Sequence, residues 1–168
     1  LQKIEPLQHR SFPWKAVGVM MLWIFADSAL FETLSRSENM DIWSKYTLLI
    51  ITSHLAGVYA AYRFGGDLIK HSPIILGLFA LSYALYWMNE PILLAVVYPI
   101  VISYYNVLLF YTLIRIKDVR TIALSMIGVG WMAASAANGV ALEHQLWIAA
   151  VVLVLFGVVY PFYFRRIS

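Results

Sequence analysis

The chain contains no cysteine. Disulfides, thiolate metal sites and iron–sulfur clusters are therefore excluded within it. It is also poor in charge, with Asp, Glu, Lys and Arg making up 12% of its 168 residues against roughly 25% in an ordinary soluble domain. Nine acids and twelve bases are too few to cover a water-soluble globule of this length. What replaces charge is apolar surface: 62% of the residues are hydrophobic and the mean hydropathy is +0.76. Soluble, disordered and nucleic-acid-binding classes are excluded on this balance, in spite of a pI of about 9.2. The remaining class is an all-α, polytopic helical membrane protein.

Six apolar stretches are legible, over residues 13–34, 46–64, 69–88, 91–114, 121–142 and 146–164. Each is long enough to cross about 30 Å of hydrocarbon. Backbone groups in lipid must be satisfied within the chain, which makes these stretches helices. The absence of polar–apolar alternation argues against barrel strands. Residues 1–12 are expected to be a cytoplasmic tail or linker, 13–164 a six-helix transmembrane domain, and 165–168 a cytoplasmic end. Residues 35–45 are expected to form a solvated loop. Pro99 inside the fourth stretch predicts a kink.

Charge sets the expected orientation. Lys3, Arg10, Lys15, Arg63, Lys70, Arg115, Lys117, Arg120, Arg165 and Arg166 fall on the side of both termini, and only Arg36 and Lys45 on the other. Both termini are therefore expected in the cytoplasm, in a plasma or bacterial inner membrane. Trp43, Tyr46, Tyr86, Trp87 and Trp147 mark the outer boundary; Trp14, Tyr160, Tyr163 and Phe164 mark the inner one. They read as interface anchors.

An ionisable group inside a span is a functional candidate by default. Asp27 in the first stretch and His54 in the second sit at similar depth, and the two helices are sequential. An Asp27–His54 pair facing a polar cavity is the expectation, with Glu32 nearer the mouth. The fourth stretch adds Tyr98, Ser103, Tyr104, Tyr105, Asn106 and Tyr111, suited to the wall of a hydrated cavity. Asn138 and Ser135 lie on the fifth. Ser53, Gly57, Ala61 and Gly65 recur every four residues and predict a close helix contact. A second small-residue surface runs from Gly128 to Gly139. Both seams predict central positions for the second and fifth helices.

No nucleophile motif, metal set or phosphate-cradling loop is present, and His54 alone of the four histidines lies well inside a span. No enzyme activity, cofactor or metal is expected.

The run His54 to Asp67, with Arg63, Gly65 and Asp67 at its end, resembles the loop between the second and third helices in one half of a major facilitator superfamily transporter. Tyr62 stands where that loop has an acid, and Gly66 where it has a base. Ile116 to Arg120 resembles the family's next basic loop, and Gln2 to Lys15 resembles the linker into a second half. The resemblance implies the C-terminal half of a secondary transporter built from two inverted three-helix repeats. The first and fourth helices would line its pathway, with Asp27 and Tyr104 to Asn106 at the cavity. It further implies a small solute, with proton coupling through Asp27. The expected partners are the bilayer and a second six-helix half, a second copy or other membrane subunits. A non-catalytic subunit of a larger membrane complex is the alternative.

Overall fold

The computed structural model describes residues 13–116 and 118–163, with side chains as far as Phe162. The expected tail 1–12 and end 165–168 lie outside the described residues. The fold is all-helical, with no strand among them. Eight α-helices follow in order: α1 Trp14–Ser35, α2 Ile42–Lys45, α3 Thr47–Phe64, α4 Leu68–Trp87, α5 Pro91–Ile114, α6 Val119–Met126, α7 Ala134–Leu142 and α8 Leu146–Tyr163. A π-helical segment, Ile127–Ala133, joins α6 to α7. Its wider turns leave the rod Val119–Leu142 continuous.

Among the described residues four helices are long and apolar enough to cross a membrane: α1, α4, α5 and the rod Val119–Leu142. The expectation was six. The helix α8 is apolar but shorter. The helix α3 has 18 residues and carries Thr52, Ser53, His54 and Arg63. Eighteen residues rise about 27 Å, slightly less than the hydrocarbon thickness.

The starts and stops follow from capping chemistry. Asp41, Asp67 and Asp118 are the N-caps of α2, α4 and α6, and each carboxylate accepts backbone N–H groups of the first turn. Pro91 opens α5 at a position where a missing N–H costs nothing. The turns after α4 and α7 are alike. Asn89 and His144 take left-handed backbone conformations, with φ of 56° and 55°. The next amides then reach back five residues, Glu90 N to Leu85 O and Gln145 N to Val140 O. This closes each helix end in a Schellman motif. Pro73 sits inside α4, not at its start. It withdraws the N–H that would bond Ile69 O, and the Tyr160 hydroxyl of α8 donates to that carbonyl at 2.9 Å.

The core lies around α1 and α5. Trp23 of α1 is fully buried, stacked on Phe79 of α4 and edge-on to Phe156 of α8. The expected central position of the second and fifth helices is corrected here. Each docks through one narrow stripe and leaves its outer face open. In α3 that stripe is Ile50, Ser53, Gly57 and Ala61; in the α6–α7 rod it is Ser125, Val129, Ala133, Ala137 and Ala141. A Cβ on Gly57 would stand 2.5 Å from Ile100 O, so α3 rides directly on the backbone of α5. Gly130 and Gly139 have nothing near them, and Ser135, Ala136 and Gly139 are exposed. Small size at these three positions serves no close contact among the described residues.

The helix pairings repeat. The α3–α5 contact in the first part of the chain has its counterpart in the rod on α1, and α4–α5 in α8–α1. The α1–α5 and α4–α8 contacts map onto themselves. The α1–α4 and α7–α8 contacts have no equivalents of like extent among the described residues. Short connections join α3 to α4, α4 to α5 and α7 to α8.

Candidate functional site

Asp27 sits in the middle of α1 and is held by α5. Tyr98 and Tyr105 are seven residues apart, nearly two full turns, so they share one face of α5 while standing about 10 Å apart along its axis. Their phenols converge on the carboxyl from above and below. Tyr98 Oη donates to Oδ1 at 2.7 Å, and also reaches the Asp27 carbonyl at 3.0 Å. Tyr105 Oη donates to Oδ2 at 2.5 Å. A third phenol, Tyr83 of α4, donates to the neighbouring Ala26 carbonyl at 2.8 Å and fixes the backbone of α1. Tyr83, Tyr98 and Tyr105 are all essentially fully buried. No cation pairs with Asp27 among the described residues; the ion pair found there is Arg36 with Glu32.

The expected Asp27–His54 pair does not form. His54 Nδ1 is hydrogen bonded to Ser103 Oγ at 2.6 Å, within the α3–α5 seam. The Gly57 stripe turns α3 toward α5 and brings His54 to Ser103. Glu32 is likewise separate. Arg36 Nη2 donates to Glu32 Oε2 at 3.1 Å and to Asn138 Oδ1 at 3.2 Å, tying α1 to α7.

The α5 trio parts company as well. Tyr104 Oη bonds His71 Nδ1 of α4 at 2.6 Å. Tyr105 alone meets Asp27, and Asn106 lines a small apolar groove of about 160 Å³ with Ile24, Phe110, Ser125 and Gly130. Ser103, Tyr104 and Tyr105 thus carry α5 to three different helices and three ionisable groups. Helical geometry requires this divergence, since successive residues turn by 100°.

The loop residues have structural roles. Arg63 lies over the Phe64 ring. Gly65 is obligatory where it stands, since a Cβ there would collide with the Ala61 carbonyl. Asp67 accepts Ile69 N–H at 2.8 Å as a cap. The Thr121 hydroxyl, then its amide, hold the Asp118 carboxyl below the ordinary carboxylate range. The Ser44 hydroxyl and amide do the same for Asp41.

The loop 36–46 is more folded than expected. Met40 and Ile42 are buried, and Trp43 packs on Phe31 and Tyr98. Tyr83 and His71 were missed as polar partners. The seven-residue spacing of Tyr98 and Tyr105 was the signal for the cage, and nothing comparable marked Tyr83. Among the described residues no group of His, Asp and Glu could hold a metal ion. Comparison of the chain with protein families, with curated proteins and with solved structures returned no match.

Proposed function

We propose that this chain is a membrane transport unit, one six-helix half of a secondary transporter for a small solute, with Asp27 as its proton-responsive group. The observation that carries the reading is the Asp27 cage. A carboxylate among apolar helices with phenols as partners and no cation bears the cost of an isolated charge. Uptake of a proton or a cation relieves it. The cage also lies where α1 of the first three-helix unit meets α5 of the second. Ionised, Asp27 accepts from both phenols; protonated, it becomes a donor itself. A change of charge therefore alters the contact between the two units, whose repeated pairing is what an inverted-repeat transporter half requires. Alternating access needs a second such body, in the plasma or bacterial inner membrane.

The test is Asp27→Asn in the native protein, with solute uptake followed against external pH. The expected result is loss of uptake or of its pH dependence, and unchanged, pH-independent kinetics would reject the role. A second reading, a non-catalytic subunit of a larger membrane complex, is favoured by the uncovered small face Ser135, Ala136 and Gly139. Co-purification with foreign subunits, together with Asp27→Asn having no effect on their activity, would select it.

A further inference from the structure

We propose that Trp43 is a positioning residue for Asp27: it seals the carboxyl from the α2 end of the bundle by holding Tyr98 in place. The inference deepens the reading of Asp27 as a proton-responsive group and rests on it for its significance.

The loop before α3 is built to present this indole. Asp41 accepts Trp43 N at 3.1 Å, Ser44 N at 3.3 Å and Ser44 Oγ at 2.5 Å, which fixes the first turn of α2. Met40 and Ile42 are buried on either side and pin the loop to the bundle. Trp43 then lies edge-on to Tyr98, with ring centroids 6.0 Å apart, and 5.3 Å from Phe31. Tyr98 in turn donates to Asp27.

The surroundings of the carboxyl are unequal. On the far side Tyr105 is backed by Phe79, Phe79 by Trp23, and Trp23 by Phe156. On the α2 side Tyr98 is covered by Trp43, and Trp43 and Asp27 are both only half-buried. Opening at Trp43 would therefore uncover Tyr98 and the carboxyl to which it donates. The indole Nε1 is buried without a hydrogen-bond partner. A buried donor without an acceptor is unfavourable, so packing holds the seal against a hydrogen bond that water would restore on opening. A short, side-chain-pinned loop with this imbalance is suited to open locally without unfolding the bundle.

The test uses the full chain in detergent, treated with a water-soluble carbodiimide, with modification at Asp27 and at exposed Glu38 read by mass spectrometry. Trp43→Ala is expected to raise the Asp27 rate about tenfold, with Glu38 unchanged, because local opening sets the reactivity of a half-covered group. Trp43→Phe, which keeps a ring over Tyr98, is expected to stay close to wild type. An unchanged Asp27 rate in Trp43→Ala, or a Trp43→Phe rate equal to that of the alanine variant, would overturn the proposal. Should Trp43→Ala lose its thermal transition, Trp43→Leu takes its place with the same two outcomes. Labelling does not depend on transport, so it fails or succeeds independently of the Asp27→Asn uptake experiment.

Discussion

The Tyr105 hydroxyl donates to Asp27 Oδ2 at 2.5 Å and joins the centre of α1 to the centre of α5. Phenylalanine at 105 removes the donor and leaves a part-buried acceptor behind. Hydrogen bonds to charged groups contribute about 1.5–3 kcal/mol, and the orphaned partner adds to the loss. Tyr105→Phe is expected to destabilise the protein by about 2 kcal/mol. Asp27→Asn on top of Tyr105→Phe should cost less than the sum of the two changes, because both act on one contact. Thermal unfolding of the four proteins in detergent measures this, and strict additivity would mean that the two side chains do not interact.

The glycines divide by what a side chain would meet. At Gly57 a Cβ would lie 2.5 Å from Ile100 O and 2.9 Å from Ser103 Cβ. At Gly77 and Gly139 nothing lies within 4 Å. Gly57→Ala is expected to push α3 from α5 and cost about 1–3 kcal/mol, the range for overpacking. Gly139→Ala is expected to gain up to about 1 kcal/mol from helix propensity. Melting temperatures of the two variants should move in opposite directions; a shift of the same sign would contradict the α3–α5 approach.

The cap of α6 predicts a pH dependence. Asp118 accepts Thr121 Oγ1 at 2.5 Å and the amides of Thr121 and Arg120, which holds its carboxyl below the ordinary range. A lowered native pKa means that its contribution is complete above the unfolded-state value and is lost as pH falls through the native one. Asp118→Ala should therefore melt below wild type at neutral pH, and the gap should close in strong acid. Circular dichroism melts across that range provide the check. A gap independent of pH would assign the loss to something other than the ionised cap.

The helices were legible in the sequence, and their partners were not. Residues 91–114 were read as one helix and form Pro91–Ile114, because Pro91 marks the start and apolar residues run without a break. Counting residues placed Asp27 and His54 on their helices, Trp14–Ser35 and Thr47–Phe64. Their directions depend on how each helix is rotated, and this is fixed by tertiary contacts. Ser53, Gly57 and Ala61 were read as a close-packing stripe, but the stripe does not name its partner. Once it docks on α5, His54 faces Ser103 and leaves Asp27 to the phenols. The π-helical turn at Ile127–Ala133 likewise has no periodic signature in the sequence. Nor did the loop 36–46 reveal its fold: Arg36, Glu38 and Asp41 mark it as polar, while Met40 and Ile42 are what bind it to the bundle.

His144 provides the last prediction, because its backbone and its residue type disagree. Its φ of 55° is left-handed, a conformation that costs an L-residue with a Cβ roughly 1–2 kcal/mol. The turn needs it nonetheless, since only this geometry brings Gln145 N to Val140 O at 2.9 Å and closes α7. Glycine at this position keeps the turn and removes the steric cost. His144→Gly should raise stability by about 1 kcal/mol, and His144→Ala should not, since it retains the Cβ. Asn89 occupies the equivalent place after α4 at φ 56°. Asparagine tolerates the left-handed region, so Asn89→Gly should gain less. Unfolding in detergent orders the three variants. A gain for alanine equal to that for glycine would show that the imidazole, and not the backbone, is the source of the strain.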